Sequence, residues 1–423
     1  MPDPTIFISA GEASGEAYGA MLLTELNQRL GPSRHVAAIG MGGQRMVAAG
    51  LDRIVRAEDM AVMGITEVVR HLPRIYREFR RLKHAIRERR PSLAILIDFP
   101  DIHFKLAEEF HRLGIPVLFF VSPQLWAWKK HRIKLVQRFV DRMLVIFPFE
   151  EPFYRERGVH AEFVGHPLAD LPLPTVSREY FAMCNYLRSD HTWIGLLPGS
   201  RMKEISDNLP TMLAAAHLLV RQNPEEAYDF ALPLASTITL DDRRRVLRIL
   251  KKHGAGLTVR LIDDENAGSE ASEVALRTTS GAGSGARATL LHARASIVAS
   301  GTATVEAALI GNPFVVVYRV SPVTYAIAKR VVSVPHVAMA NLIAGKRAVP
   351  ELIQYDFTAS NIVRELQPLL PDGPPRQSMM QDLQRVRALL IRPGNTQGAI
   401  DRVAEIALGM LGLASPVTES MPS

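Results

Sequence analysis

The chain has one cysteine, Cys184, among 423 residues. That excludes an intrachain disulfide and any metal site built from several cysteines, and it fits a reducing compartment. No HExxH and no D-x-D occurs, so the usual helix for a zinc site and the usual metal-holding aspartate pair are both missing. No apolar run approaches the roughly 18 residues that span a bilayer. The start, Met1-Pro2-Asp3-Pro4, lacks a basic segment, and Ile6-Phe7-Ile8 is too short for the core of a signal peptide. A soluble cytoplasmic protein, or one attached only to a membrane face, is expected. Basic residues cluster at 74–90 and 129–142 without an RNP, KH or helix-turn-helix pattern, so no nucleic-acid partner is expected.

With 47% hydrophobic and 22% charged residues the composition is that of an ordinary folded protein. Its length exceeds the size at which single cores stop growing, so two domains are the default. The net charge of +7 points to an anionic partner: nucleic acid, anionic lipid or a phosphorylated substrate.

Short apolar runs alternate with helix-length segments. Strands are expected at Thr5 to Ala10, Val36 to Ile39, Leu93 to Ile97, Val117 to Val121, Met143 to Phe147 and Glu162 to Val164. Gly11-Glu12-Ala13-Ser14-Gly15-Glu16 and Gly40-Met41-Gly42-Gly43 read as loops at strand ends, and neither makes GxGxxG. Pro172 and Pro174 mark a linker. The rhythm then restarts with strands at Trp193 to Leu197, Asp229 to Pro233, Leu257 to Leu261 and Ala295 to Ala299. Gly283-Ser284-Gly285-Ala286-Arg287-Ala288 formally matches GxGxxA, but no strand precedes it, and it is rejected as a dinucleotide site.

Two strand-to-helix turns in the second half carry the chemistry. Ser300-Gly301-Thr302 follows a buried-looking strand, and Thr302 or Thr304 can cap a helix whose first turn includes Glu306. Asn312-Pro313 ends that helix before Phe314 to Val317, completing a βαβ unit. The other turn, Gly199-Ser200-Arg201, adds a guanidinium able to grip a diphosphate by two hydrogen bonds. Free N–H groups at a helix start suit phosphate, so the two turns together describe a nucleotide-diphosphate site that needs no metal. Two structural turns and a solvated arginine are the plainer alternative.

In the first half, Asp98 ends an apolar strand and is the best general base, since partial desolvation would raise its pKa toward the working range. A carboxylate capping the next helix competes with that reading, and Asp101 is the other candidate for the cap. His166 before Pro167 reads as positioning a loop, and Glu12 and Glu16 equally as first-turn helix acids. Residues 58–79 form an unusual helix, with Met60, Val62, Met63, Ile65, Val68, Val69, Leu72, Ile75, Tyr76 and Phe79 among many arginines. Either it faces the core with a solvated basic side, or it lies in a membrane interface.

These residues carry a resemblance. Ser9-Ala10-Gly11-Glu12-Ala13-Ser14-Gly15-Glu16, Ala61-Val62-Met63-Gly64, Ile97-Asp98-Phe99-Pro100-Asp101, Ser122-Pro123-Gln124-Leu125-Trp126-Ala127-Trp128, Gly165-His166-Pro167, Leu197-Pro198-Gly199-Ser200-Arg201 and Ser300-Gly301-Thr302-Ala303-Thr304-Val305-Glu306 resemble, in order and spacing, the lipid-A-disaccharide synthase family. The resemblance implies an α/β fold of the GT-B type, with two Rossmann-like doubly wound parallel-sheet domains facing a cleft. It implies an inverting glycosyltransferase of Gram-negative lipid A biosynthesis that uses no metal and no cofactor. The enzyme would condense UDP-2,3-diacylglucosamine with 2,3-diacylglucosamine 1-phosphate and release UDP, peripherally bound at the cytoplasmic face of the inner membrane. The runner-up is another UDP-sugar enzyme of the same fold, an epimerase or a transferase with a non-lipid acceptor.

Carried over residue by residue, the resemblance makes Asp98 the catalytic base. It assigns Gly11, Glu12, Ser14, Gly199, Ser200, Arg201, Ser300, Gly301, Thr302, Glu306 and Asn341 to the UDP-sugar, and Val62, Met63, Ile65, Val68, Val69, Leu72, Ile75 and Phe79 to lipid or an anionic membrane surface. Expected domains are 1–171 for the acceptor and lipid, and 172–355 for the UDP-sugar with a mobile insertion at about 264–287. Helices in 356–414 are expected to return to an N-terminal domain, their own or a partner's, before a disordered tail at 415–423. A homodimer is one assembly this allows. Glu16, His103 and Ala340 stand where the family usually has aspartate, asparagine and proline, which bears on acyl-chain or acceptor preference more than on the reaction.

Overall fold

The computed structural model describes residues 4–31, 34–60, 65–263, 284–320, 325, 334–394 and 397–413, with backbone alone at 65–71 and 284. Val62, Met63, residues 264–283 of the expected insertion and the 415–423 tail lie outside the described residues. The chain divides into two compact units, Met1–Asp170 with Leu390–Ser423, and Leu171–Leu389.

In the first unit the order is β1 (Thr5–Ala10), α1 (Ala13–Leu30), β2 (Ala37–Gly42), α2 (Gln44–Ala48), β3 (Leu51–Arg56), α3 (Ile65–Arg89), β4 (Leu93–Ile97) and α4 (Pro100–Arg112). Then follow β5 (Val117–Phe120), α5 (Ile133–Phe139), β6 (Arg142–Val145), α6 (Glu150–Arg155) and β7 (Ala161–Phe163). The strands form one parallel sheet in the order β3-β2-β1-β4-β5-β6-β7. Helices cover both faces of such a sheet, which is why β4 and β5 are buried at every residue and read as unbroken apolar runs.

The glycines at 40–42 belong to β2 rather than to a loop. Gly40 pairs with Ile8, and a Cβ there would lie 2.0 Å from the Ile8 carbonyl oxygen. Side chains are thus excluded from a point where two backbones approach closely, while a register shift follows on the β3 side. The expected 58–79 helix runs instead from Ile65 to Arg89. Its core stripe is Ile75, Phe79, Leu82 and Ile86, spaced for one helical face and packed into the first unit's core.

The second unit contains α7 (Arg178–Asn185), β8 (Thr192–Leu197), α8 (Met202–Gln222), β9 (Tyr228–Pro233), α9 (Leu240–His253), β10 (Val259–Ile262) and α10 (Ser284–His292). It continues with β11 (Ala295–Ala299), α11 (Thr302–Ile310), β12 (Phe314–Tyr318), α12 (Met339–Ala344), β13 (Glu351–Ile353), α13 (Ala359–Leu366) and α14 (Pro374–Leu390). Its strands are again all parallel, in the order β10-β9-β8-β11-β12-β13. Counting from the first strand of each unit, both sheets follow the 3-2-1-4-5-6 order of a dinucleotide-binding fold, and the first adds a seventh strand.

The segment after Asp356 divides. α13 packs on α8 in the second unit, whereas the last helix, α15 (Ala399–Met410), packs on α1 of the first. α15 is tied there by Arg29 to Asp401 at 3.1 Å, by the Ala399 N–H donating to Asp170 at 2.5 Å and by Arg402 donating to Glu162 at 2.8 Å. No helix among the described residues is long and apolar enough to cross a membrane.

Candidate active site

In open α/β sheets ligands meet the carboxyl ends of strands where the strand order reverses. In the first unit that point lies between β1 and β4, which end in register at Ala10 and Ile97. Gly11-Glu12 and Asp98-Phe99 therefore leave the sheet side by side. Asp98 and Phe99 both adopt left-handed backbone, with φ of 50° and 51°, a conformation that costs about 1–3 kcal/mol per non-glycine residue. Surrounding contacts enforce it. The Asp98 N–H donates to the Phe120 carbonyl at 3.0 Å, and the Asp98 carbonyl accepts from His103 Nδ1 at 2.5 Å. Phe99 lies against Gly11, where a Cβ would come within 2.3 Å of the ring.

Asp98 as a residue is half-buried rather than sealed in the interior. Burial pushes its carboxyl up, the Glu12 carboxylate adds to the effect, and a bond from the Phe99 backbone opposes them, leaving it at about 7. A carboxylate at that value is ionised in half the molecules at neutral pH and can still take a proton, which is what a general base needs.

The neighbouring polar residues have structural partners. Asp101 does not cap α4, whose N-cap position is Phe99; it pairs with Arg132 at 2.5 Å and Lys129 at 3.8 Å. Glu16 accepts from the Arg45 N–H at 2.9 Å and so ties α1 to the start of α2. His103 is fully buried, and burial lowers its pKa to about 4. His166 is also buried and neutral, pushed down to about 3, and its Nδ1 accepts from the Leu168 N–H at 3.1 Å, fixing the loop as expected. Sequence reasoning missed Glu150. Buried after β6, it accepts from Ser122 Oγ at 2.7 Å, Trp126 Nε1 at 3.1 Å and the Phe147 N–H at 3.1 Å. Burial outweighs those bonds and raises it to about 7.

The second unit reverses its strand order between β8 and β11, and the turns at 198–201 and 300–302 stand at its two strand ends. Gly199 and Gly301 have φ of 126° and 147°, which only glycine adopts without strain. Above Gly301 no atom of the described residues lies within 4 Å of where a Cβ would be. The N-cap of α11 is Gly301, not a threonine, and the Thr304 hydroxyl donates back to the Gly301 carbonyl at 2.7 Å. With no side-chain cap among the described residues and no acid in its first turn, α11 presents N–H groups suited to an anion. Glu306 is the fifth residue of α11, in its second turn, and is buried beside Arg287, so it is not the first-turn acid expected.

The start of α8 differs. Glu204 Oε2 accepts from the N–H groups of Ser200 at 3.0 Å and Arg201 at 3.3 Å, so this helix end holds a carboxylate of its own. The exposed Arg201 guanidinium lies 3.7 Å from the same side chain. Of the two helix starts expected to receive phosphate, only that of α11 lacks a cap. Asn341 is buried with its amide fully taken: Nδ2 donates to the Val349 carbonyl at 2.9 Å and Glu351 at 2.7 Å, and Oδ1 accepts from the Val349 N–H at 2.8 Å. It holds the turn before β13. No group of three metal-ligating side chains lies among the described residues.

The model of the family described as "Lipid-A-disaccharide synthetase" matches residues 6–284 and 272–400. The lipid-A-disaccharide synthase of Acidobacterium capsulatum is 60% identical over 408 residues, covering 96% of each chain. The chain belongs to the lipid-A-disaccharide synthetase family. Its fold is shared with solved structures at low identity. The UDP-GlcNAc 2-epimerase from Neisseria meningitidis bound to UDP-GlcNAc has a TM-score of 0.58 at 11% identity, covering 96% of this chain and 98% of that one. The calicheamicin glycosyltransferase CalG4 has a TM-score of 0.56 at 15% identity, covering 98% and 100%.

For a member of this synthetase family the residues expected to meet lipid separate into groups. Ile75 and Phe79 turn toward the core, whereas Leu72 is 51% exposed. Tyr76, one helical turn on, is 64% exposed with the Arg80 guanidinium 6.0 Å from its ring. Ile65, Val68 and Val69 lie in α3, and Val62 and Met63 lie outside the described residues.

Proposed function

We propose that the chain condenses UDP-2,3-diacylglucosamine with 2,3-diacylglucosamine 1-phosphate to give the lipid A disaccharide 1-phosphate and UDP. Asp98 takes the proton of the acceptor's primary hydroxyl. The oxygen attacks the anomeric carbon from the face opposite UDP, the bond from that carbon to the β-phosphate oxygen breaks, and the configuration inverts. The observation that carries this reading is Asp98 itself, half-buried at a strand-order reversal and pushed up to about 7.

The leaving UDP takes the bonding electron pair as charge on its β-phosphate. Arg201, the Ser300 hydroxyl and the N–H groups of Gly301 and Thr302 receive it, the Ser300 N–H being taken by the Val317 carbonyl at 2.9 Å, because a guanidinium, a hydroxyl and uncapped helix N–H groups stabilise a phosphate without a metal. Glu204 already occupies the N–H groups of Ser200 and Arg201, which leaves the Arg201 side chain as that turn's contribution. Gly11, Glu12 and Ser14 follow β1, whose end lies in register with the strand before Asp98, and contact the sugar. Asn341 and Glu306 belong to the nucleotide site as buried residues, Asn341 by fixing the turn before β13. Purified protein incubated with both acylated glucosamines should yield the disaccharide 1-phosphate by mass. Conversion of the donor without that product would contradict the assignment.

The same reading places the protein on the cytoplasmic face of a Gram-negative inner membrane. Leu72 and Tyr76, exposed beside Arg80, support contact with an anionic bilayer. Replacing both by serine should reduce sedimentation with anionic vesicles, and undiminished sedimentation would contradict this docking surface.

A further inference from the structure

The reaction gives His103 no direct part, yet three elements converge on it. It lies in α4, its Nδ1 is 2.5 Å from the carbonyl oxygen of Asp98 at the end of β4, and its Nε2 is 2.8 Å from Ser9 Oγ in β1. We propose that His103 is a positioning residue: through Nδ1–H it holds the Asp98 carbonyl, and with it the left-handed turn that presents the carboxylate, while the Ser9 hydroxyl donates to Nε2 and anchors the ring. This rests on Asp98 being the base.

The chemistry of the partners determines the protonation pattern. A carbonyl oxygen only accepts, so Nδ1 must carry the proton. In a neutral ring Nε2 then lacks one and accepts from the Ser9 hydroxyl. Burial favours that neutral ring, lowering its pKa to about 4. The ring cannot swing away, because it meets Phe99 edge-on at 5.7 Å and Phe119 edge-on at 6.1 Å. Ser9 and His103 are both fully buried. The direction of the Asp98 carbonyl is one of the things that distinguishes a left-handed residue from an extended one, so a donor fixed on that oxygen resists relaxation of the turn. A histidine in this place therefore acts behind the base and not on acceptor choice.

Two amides separate this role from mere packing. The side-chain nitrogen of asparagine can fall where Nδ1 lies, and that of glutamine nearer Nε2. His103→Asn keeps the donor to the Asp98 carbonyl and should retain turnover. His103→Gln loses it and should lower kcat by about 10²-fold, the scale of a misplaced reacting group, with KM unchanged. In the wild-type enzyme, ¹⁵N resonances should show a neutral Nδ1–H ring from pH 6 to 8, a reading that holds even where a variant fails to fold. A folded His103→Gln with wild-type kcat, equal losses in both variants, or an Nε2–H ring would each overturn the proposal. Asp98→Ala assayed alongside keeps the two ideas apart. Wild-type turnover in Asp98→Ala removes the base assignment, and normal turnover in His103→Gln with none in Asp98→Ala removes the positioning role alone.

Discussion

The two strand-order reversals share one topology and carry opposite chemistry. Between β1 and β4 the chain sets two carboxylates, Glu12 and Asp98, close enough that one raises the pKa of the other. The turn that carries Asp98 is a left-handed pair of non-glycine residues held by Phe120, His103 and the packing of Phe99 over Gly11. Between β8 and β11 the turns are glycines in conformations natural to them, one beside a guanidinium and one opening an uncapped helix. The first site holds backbone strain and repels a second negative charge. The second is relaxed and suits one. On the proposed reading, a common fold separates proton removal from phosphate binding by the residues placed at equivalent strand ends.

The largest effect expected from breaking this division is at Asp98. Asp98→Ala should lower turnover by about 10²- to 10⁴-fold, the usual contribution of a general base, measured by release of UDP. Arg201→Ala should act on the other side. Loss of a charge-assisted bond of about 1.5–3 kcal/mol weakens UDP binding by roughly 10- to 100-fold, measured by titration calorimetry.

The pH dependence follows from the first site. Because the Asp98 carboxyl lies at about 7 and a general base must be ionised, the proposed role makes kcat/KM fall as pH drops below that value, approaching roughly tenfold per unit. A flat profile between pH 5.5 and 8 would contradict the assignment. Stability runs the other way. Folding raises this carboxyl from its ordinary 3.8, so the folded state holds the proton more tightly. The stabilisation this provides is complete below about pH 4 and is lost as pH rises to about 7. Asp98→Asn, always neutral, should therefore melt above wild type at pH 8 and close to it at pH 4, a difference of a few degrees at most by scanning calorimetry.

Strand ends were legible because parallel strands buried on both faces read as apolar runs, as in Leu93–Ile97 and Ala295–Ala299, and because the polar turns follow them directly. β3 and β13 were not, the first because Leu51–Arg56 mixes buried and exposed positions at the sheet edge, the second because three residues carry too little pattern. Asp98 and Arg201 stood out by position alone. The partners that determine how the sites work did not. Ser9 and His103 are 94 residues apart in sequence, Glu150 after β6 looks like any first-turn acid, and the cap that Glu204 places on Ser200 and Arg201 depends on where α8 begins. Asn341 was visible as a residue, but the bonds that take up its amide were not.

The claim that proton removal and diphosphate binding reside at different strand-order reversals is tested most directly by titrating UDP into Asp98→Ala while measuring turnover in the same preparation. The account predicts unchanged UDP affinity with turnover all but abolished. Loss of both together, or turnover that persists at the wild-type rate, would contradict it.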